Sequence, residues 1–240
     1  KNTGGDIRIA VLHLSHIANF DDIDPLAAEP DVSVIWVARG DPIPGDANLV
    51  ILPGSKTTIS DLHDLREEGW DIDLAAHLRR GGSVLGICAG FQMLGTHISD
   101  PEGREGLTGT SQGLALLDVE TVLAPEKELT RVSGHAADGL GPVSGYEMHL
   151  GRTTGSGADR PAMTLAGAPS GAISADGRVM GVYLHGLFTN DTFRHNFLGR
   201  LKQRAGSGVA YETQVNDALD QLATAIESHL DVEALLSGSR

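Results

Sequence analysis

The sequence contains a single cysteine, Cys88, and residues 86–90 around it are Gly-Ile-Cys-Ala-Gly. This is the thiol counterpart of the Gly-x-Ser-x-Gly nucleophile elbow, a sharp strand-to-helix turn that exposes a nucleophile. The turn explains both glycines, because a side chain two positions from the nucleophile would collide with neighbouring elements. A helix beginning at Cys88 favours the thiolate, and the Ala89 amide would serve as an oxyanion donor. The pattern predicts a catalytic thiol, although free cysteine is most often a small buried hydrophobe.

A cysteine nucleophile needs a general base, which is usually histidine. The chain has ten histidines. His185 is our candidate because it ends the apolar run Val-Met-Gly-Val-Tyr-Leu-His and precedes Gly186. Such a position lies at the carboxyl edge of a sheet, where Cys88 must also open. His149, in Gly-Tyr-Glu-Met-His, is the second candidate, for which a structural or substrate-facing role is the better interpretation.

Two other kinds of site are rejected on spacing. The histidines are scattered and no second cysteine stands near any of them, so we expect no metal site. Residues 51–58, Ile-Leu-Pro-Gly-Ser-Lys-Thr-Thr, superficially resemble a phosphate-binding loop. Ser55 separates Gly54 from Lys56, however, and Leu49 stands where the first glycine of that motif belongs. We therefore expect no nucleotide and no cofactor in this chain.

Four short apolar runs separated by helical segments precede or flank these residues. Strands are predicted over Ile7–Leu14, Val32–Ala38, Asn48–Gly54 and Ser83–Ile87. Helices are predicted within residues 57–69 and 70–82, each ended by glycine, and from Cys88 onward. Continuous apolar strands alternating with helices indicate an α/β fold with a mostly parallel, doubly wound central sheet.

The second half of the chain changes character. Short strand-like runs with glycine-rich turns predict a β-rich second half that continues the same domain. Two amphipathic helical stretches follow, beginning near Asp191 and Asn216. We predict a remnant of an interdomain linker at 1–6, one domain at 7–205 and a C-terminal helical extension at 206–240.

Composition limits the possible partners. The 240 residues carry a formal net charge of −14, which disfavours binding to nucleic acid or to anionic membranes. No apolar run reaches the roughly 18–20 residues that span a bilayer. One cysteine cannot form an internal disulfide, so a cytoplasmic location is expected. The polar start, Lys-Asn-Thr-Gly-Gly, indicates a piece of a longer protein.

Several motifs together resemble the class I glutamine amidotransferases, which have a flavodoxin-like or Rossmann-like three-layer fold. The resemblance runs from about Ile7 to about Arg204 and rests on GICAGFQMLG, LPGSKTTISDL, GYEMHLGRT and GVYLHGLF. The motifs LPGSKTTISDL and GYEMHLGRT resemble, more narrowly, the C-terminal glutaminase domains of cobyric acid synthases. The resemblance implies glutamine as substrate and an ATP- and Mg²⁺-dependent synthetase domain or subunit as partner. That partner would amidate carboxylates b, d, e and g of a corrinoid, adenosylcobyrinic a,c-diamide.

The resemblance also implies roles for individual residues. Cys88 becomes the nucleophile and His185 the base, while the backbone amide of Gly54 or Ser55 supplies a second oxyanion donor. Gln92 could hydrogen-bond the substrate amide or equally cap local backbone.

One departure from the family pattern concerns the third catalytic group. Many members carry glutamate two residues after the histidine, where this chain has Leu187. Glu147 and Asp191 are candidate orienting carboxylates, and Glu147 and His149 could face substrate. We hypothesise a Cys88–His185 dyad whose orientation improves when the synthetase docks. Open alternatives are a glutaminase subunit of a cell-wall precursor (lipid II) amidating ligase, another cysteine hydrolase, or an inactive regulatory or docking domain.

Overall fold

The computed structural model describes residues 5–106, 108–127, 129–148 and 150–230. Contacts divide the chain into two compact units, residues 1–207 and residues 208–240. Residues 1–4 of the predicted linker remnant, residues 231–240 of the predicted extension, and His149 lie outside the described residues.

The described residues form seventeen strands and six α-helices, with short 3-10 turns at 20–23, 137–139 and 156–159. The strands are β1 (Ile7–Leu12), β2 (Ile17–Ala18), β3 (Val32–Val37), β4 (Leu49–Leu52), β5 (Gly54–Ser55), β6 (Ser83–Ile87), β7 (His97–Asp100), β8 (Gly109–Gln112), β9 (Glu120–Lys127), β10 (Thr130–Ala136), β11 (Gly141–Glu147), β12 (Leu150–Thr154), β13 (Met163–Leu165), β14 (Ala168–Ser170), β15 (Ala172–Ile173), β16 (Val179–Val182) and β17 (Leu184–His185). The helices are α1 (Asp24–Ala27), α2 (Thr58–Glu67), α3 (Trp70–Arg79), α4 (Ala89–Leu94), α5 (Asp191–Leu201) and α6 (Tyr211–His229).

The central sheet has six strands in the order β15-β16-β6-β4-β1-β3. Neighbouring strands pair in parallel throughout, except for the antiparallel edge pair β15–β16. This confirms the predicted α/β fold with a mostly parallel sheet. The predicted strand from Ile7 ends two residues early, because the chain turns after Leu12 with the Leu14 amide donating to the Leu12 carbonyl.

Both faces of this sheet are covered, because successive strand residues point to opposite sides. In β1, Ile9 and Val11 belong to one apolar cluster, which includes phenylalanines of α5. Ala10 and Leu12 belong to a second cluster, which includes residues of α2, α3 and α4. All four of these β1 side chains are fully buried. The continuous apolar run that predicted a doubly covered strand therefore has this physical cause.

The second half of the chain builds mainly antiparallel sheets, as the sequence predicted. One sheet has the order β14-β13-β10-β11-β17, and another has the order β12-β9-β7-β8. Strand β17 directly follows β16 of the central sheet but pairs with β11, so that His185 lies opposite Tyr146. The chain thereby brings its candidate base to the junction between the central sheet and a flanking sheet.

The second unit contains α6, which lies within the predicted helical extension. Its apolar side chains recur at Val215, Leu219, Leu222 and Ile226, an alternating spacing of four and three residues. That spacing places them along one face of the helix. In the described part of the chain, no helix has the length and apolar character needed to cross a membrane.

Candidate active site

Cys88 occupies a strained turn between β6 and α4. Its backbone dihedrals are φ 54° and ψ −110°, in a region that residues other than glycine rarely adopt. The turn is held on both sides, since the Cys88 amide donates to the Val182 carbonyl at 2.8 Å and the Gln92 amide donates to the Cys88 carbonyl at 3.2 Å. Such outliers concentrate at functional sites, where the surrounding structure maintains them.

The two glycines flanking Cys88 are required by close backbone contacts. A Cβ atom at Gly90 would lie 2.0 Å from the carbonyl oxygen of Leu52. A Cβ atom at Gly86 would lie 2.6 Å from the backbone of Gly90 itself. Both φ angles are ordinary, so the constraint is steric. The structure thus shows the collision that the sequence pattern predicted.

His185 is buried at the end of β17 and its orienting partner is Asp22. The Nδ1 atom of His185 lies 2.7 Å from Oδ2 of Asp22, and the other carboxylate oxygen accepts the Gly186 amide at 2.7 Å. Both side chains are almost completely buried. Asp22 belongs to the 3-10 turn that follows β2. The carboxylate is fixed at both oxygens, so it holds the imidazole in one orientation with Nε2 directed away from Asp22.

The candidates proposed from sequence for this orienting role have other partners. Glu147 accepts a hydrogen bond from Ser170, and Asp191 forms an ion pair with the buried Arg194. His149 lies outside the described residues. Asp22 therefore supplies, from a distant part of the chain, an orienting carboxylate that the hypothesis of a Cys88–His185 dyad did not include. The expected effect of synthetase docking on this orientation stays a prediction.

Tyr146 forms one wall against the imidazole. The two rings stack with centroids 5.1 Å apart and planes inclined by 24°. The Tyr146 hydroxyl accepts a hydrogen bond from the Asn19 side chain at 2.5 Å. Asn19 has the left-handed backbone conformation, with φ 54°, and immediately precedes the turn that carries Asp22. Tyr146 therefore links the ring of His185 to the segment that supplies its carboxylate.

Cys88 and His185 are close enough to influence each other electrostatically. Burial alone would lower the pKa of His185, but the hydrogen bond and charge of Asp22, together with the nearby Cys88 sulfur, raise it to about 9. The Cys88 thiol donates a long hydrogen bond to the Met148 carbonyl, at 3.6 Å. Among the described residues the buried Nε2 of His185 has no aligned hydrogen-bond partner. With this pKa His185 carries a proton near neutral pH, so the resting site holds an imidazolium beside the Cys88 sulfur.

This coupling predicts a pH dependence of stability. A histidine whose pKa rises on folding stabilises the folded state fully below its unfolded pKa, near 6.5, and that stabilisation disappears as the pH rises toward 9. We expect the free energy of unfolding of the wild type to fall by about 3 kcal/mol relative to His185→Asn across this window. Urea unfolding at a series of pH values measures the difference. Parallel curves for the two proteins would contradict it.

A cavity of about 360 Å³ opens at Cys88. Its lining includes the four residues predicted to bind substrate, namely Gly54, Ser55, Ala89 and Gln92. His185 lies directly behind one wall, since a Cβ atom at Gly54 would be 3.4 Å from its Cε1 atom. A larger cavity, of about 670 Å³, contains neither Cys88 nor His185. The smaller cavity is thus the one in which a bound molecule would meet the thiol.

Strand pairing separates the two candidate oxyanion amides at β5. The Lys56 amide donates to the His16 carbonyl, and the register pairs Ala18 with Gly54. Because hydrogen-bonded positions alternate along an antiparallel ladder, the amide of Gly54 is used in pairing with β2. The amide of Ser55 points away from that ladder. Of the two predicted donors, Ser55 is therefore the one whose amide can face an oxyanion.

Gln92 is buried one helical turn after Cys88 and takes part in a side-chain network. Its Oε1 atom accepts from the Thr58 hydroxyl at 3.1 Å, and its Nε2 atom donates to the Tyr183 hydroxyl at 3.3 Å. Burial raises the pKa of Tyr183 to about 12, so its hydroxyl keeps its proton. Gln92 is thus held in place by the side chains of Thr58 and Tyr183. Its contact with substrate stays a prediction.

Potential metal ligands are also found away from the cavity. Among the described residues, His63, Asp64 and Glu67 place ligand atoms within 4.8 Å of one another on α2. Asp64 already accepts hydrogen bonds from Ser15 and Arg39. None of these three lines the Cys88 cavity.

The chain matches a known protein family over most of its length. Residues 8–193 match the CobB/CobQ-like glutamine amidotransferase domain, and this span includes Asp22, Cys88 and His185. The chain belongs to that family. The matched span thus contains the elbow, the cavity and the His185–Asp22 pair, and the chain is an enzyme of the glutamine amidotransferase class.

Two curated relatives of the chain are cobyric acid synthases. The chain is 59% identical to the cobyric acid synthase of Rhodobacter capsulatus over 239 residues, which are 99% of the chain and 49% of that protein. It is 56% identical to the cobyric acid synthase of Bradyrhizobium diazoefficiens, covering 98% of the chain and 49% of that protein. The matched part is the C-terminal half. The chain therefore spans about half the length of the curated relatives it matches.

Solved structures show the same fold at low sequence identity. PurLQS from Thermotoga maritima superposes with a TM-score of 0.60 at 17% identity, covering 82% of this chain and 99% of the other. A second structure, described as a glutamine amidotransferase, gives a TM-score of 0.53 at 18% identity, covering 80% and 97%. These structures support the fold class alone, which agrees with the class I amidotransferase fold predicted from sequence.

Proposed function

We propose that this chain is the glutaminase half of a cobyric acid synthase and that it releases ammonia from glutamine at Cys88. The observation that carries the proposal is the strained elbow of Cys88 opening into a cavity beside a buried His185–Asp22 pair. A thiol, a base and an oriented carboxylate are the groups that acyl transfer requires. The high identity to cobyric acid synthases supports the narrower assignment.

The proposed reaction has two stages. In the first, the Cys88 thiolate attacks the side-chain amide carbon of glutamine, and the amides of Ala89 and Ser55 stabilise the oxyanion. Protonated His185 gives its proton to the departing nitrogen, which leaves as ammonia and generates a thioester. In the second, neutral His185 takes a proton from water, whose oxygen attacks the thioester and releases glutamate. Asp22 keeps Nε2 of His185 facing the reacting atoms in both stages.

We propose that the ammonia is used in the other half of the synthase. The relatives are about twice as long as this chain, which supports a second domain in the same protein. That domain would bind ATP and Mg²⁺ and would amidate carboxylates b, d, e and g of adenosylcobyrinic a,c-diamide. In this proposal the glutaminase half itself uses no cofactor.

Labelling with a glutamine-mimicking electrophile tests the proposal. Diazo-oxo-norleucine is added to the chain in the presence of its synthetase half, and the adduct is located by mass spectrometry. We expect one adduct, on Cys88, with protection by excess glutamine. Ammonia-dependent amidation that persists after labelling, while glutamine-dependent amidation stops, would place the label in the glutaminase half. An unlabelled Cys88 would refute the proposal.

The identity of the acceptor needs its own measurement. Glutamine-dependent amidation of adenosylcobyrinic a,c-diamide by the complete protein is the expected result. Amidation of a lipid II precursor instead would indicate the cell-wall ligase, and glutamine hydrolysis with neither acceptor would contradict the cobyric acid assignment. A chain that binds the synthetase but hydrolyses no glutamine would indicate the inactive docking domain.

A further inference from the structure

Two charged side chains of opposite sign line the Cys88 cavity, and the mechanism above uses neither. Of the described residues that line it, Lys56 carries the positive charge and Glu105 the negative charge. Glutamine presents the same pair of charges in its α-ammonium and α-carboxylate groups, beyond the reacting amide. The cavity therefore offers one charged partner for each end group of the substrate.

We propose that Glu105 binds the α-ammonium group of glutamine and that Lys56 binds its α-carboxylate, so that this pair selects a free amino acid. This inference rests on the proposed glutaminase function. It names the residues that distinguish glutamine from other primary amides and from glutamine within a peptide, whose α-groups are uncharged.

Glu105 is fixed in place before any ligand arrives. Its Oε2 atom accepts from the Ile59 amide at 2.8 Å, and its Oε1 atom, 3.0 Å from the Thr58 hydroxyl, shares the single hydrogen of that hydroxyl with Gln92. Its own amide donates to the buried Asp100 at 2.8 Å. A carboxylate has about four acceptor positions, so two hydrogen bonds leave capacity for an ammonium group. The neighbouring hydroxyl of Thr58 also contacts Gln92, which relates Glu105 to the turn above Cys88.

Lys56 is placed by backbone and leaves its ammonium group available. Its amide donates to the His16 carbonyl, which fixes the residue directly after β5. Among the described residues no carboxylate forms an ion pair with its side chain, which is exposed at the cavity rim. A flexible lysine can follow a carboxylate as the substrate enters, since its charge is a point donor rather than a planar fork. The two residues therefore differ in role, with Glu105 rigid and Lys56 adaptable.

Substrate analogues and variants together test each contact. The analogue 4-carbamoylbutanoate lacks the α-amino group, and glutamine α-amide lacks the α-carboxylate. For Glu105→Gln we expect kcat/KM for glutamine to fall about 10- to 100-fold. The value for 4-carbamoylbutanoate should stay within about threefold of the wild type, since that analogue never made the contact. For Lys56→Met the same selective loss should appear with glutamine and be absent with glutamine α-amide.

Matched controls separate binding from structure. Glu102→Gln and Lys202→Met make the same charge changes at residues outside the cavity. They should leave kcat/KM for glutamine and for both analogues unchanged. Iodoacetamide has no α-ammonium or α-carboxylate group, so the rate at which it alkylates Cys88 measures the reactivity of the thiol alone. This rate should be equal in wild type, Glu105→Gln and Lys56→Met. Assays are run with the synthetase half present.

The outcomes distinguish this inference from the function on which it rests. If the wild type hydrolyses no glutamine and Cys88 takes no label, the proposed function fails. If the wild type is active but has the same kcat/KM for glutamine and for 4-carbamoylbutanoate, Glu105 and Lys56 do not recognise the α-groups. An equal loss with all three substrates in Glu105→Gln would show that Glu105 only supports α2, and Lys56→Met would then be judged alone on glutamine α-amide.

Discussion

Asp22→Asn should lower kcat for glutamine hydrolysis by about 10²- to 10⁴-fold while the protein stays folded. The amide oxygen of asparagine can keep the hydrogen bond from Gly186, which leaves its NH₂ group facing Nδ1 of His185. The imidazole must then carry its hydrogen on Nε2, and that tautomer cannot accept a proton from Cys88 or water. The variant also removes the negative charge that stabilises the imidazolium.

The measurement is steady-state glutaminase activity with the synthetase half present, over a range of pH. Asp21→Asn makes the same change at the exposed neighbouring residue and should behave as wild type. Cys88→Ala defines the background rate. The alkaline limb of the profile should also move to lower pH in Asp22→Asn, because Asp22 is a main cause of the high pKa of His185. Activity of Asp22→Asn within threefold of wild type would exclude an orienting role for this carboxylate.

The elbow could be predicted from sequence because the residues that form it are consecutive in the chain. Strand β6 matches its predicted bounds of Ser83–Ile87, and the turn at Cys88 follows directly. Its flanking glycines are explained by contacts with elements that are themselves adjacent to it in the fold. His185 could be chosen for a similar reason, since an apolar strand followed by a polar residue and glycine marks a sheet edge.

Asp22 could not be chosen in this way. It meets His185 across a separation of 163 residues, and no periodicity connects them. The segment that contains it also has Asp21 and Asp24, which are both exposed, whereas Asp22 is buried. Sequence reveals a cluster of carboxylates after the first strand, at an edge where catalytic groups gather, and only burial distinguishes its members.

The substitution at position 187 follows from the same geometry. Leu187 is fully buried and belongs to the apolar cluster that contains the phenylalanines of α5. A glutamate there would place a charge among apolar side chains, at a large desolvation cost. The orienting carboxylate comes instead from Asp22, in the 3-10 turn before α1. The absence of the expected glutamate therefore coincides with a different route to the same contact, through Asp22.

A similar lesson applies to the β5 segment, where sequence left two amides open. Gly54 and Ser55 are adjacent, and both line the cavity. Only the register with β2, a pair of two-residue strands that no pattern predicted, shows which amide is used in pairing. Short strands of this kind depend on tertiary contacts, so their hydrogen-bond assignments become visible only in the folded chain.

Gly90→Ala should cost about 3 kcal/mol or more of folding free energy, more than most substitutions of this size. The new methyl group would lie 2.0 Å from the carbonyl oxygen and 2.7 Å from the carbonyl carbon of Leu52. These are backbone atoms of β4, in the middle of the parallel sheet, so neither can move aside as a side-chain end could. Relief requires α4 to shift away from the sheet, which carries the turn at Cys88 with it.

Gly199→Ala is the matched control for this prediction, because Gly199 lies within α5 and a methyl group there would meet no atom within 4 Å. Alanine should stabilise that helix by about 0.5–1 kcal/mol, since glycine has the greater backbone freedom to lose. Urea unfolding should therefore place the two variants on opposite sides of the wild type. The rate of Cys88 alkylation by iodoacetamide, measured well below the unfolding midpoint, should change in Gly90→Ala and not in Gly199→Ala. A Gly90→Ala protein as stable as wild type would mean that the elbow tolerates a side chain where the packing of β4 against α4 leaves no room.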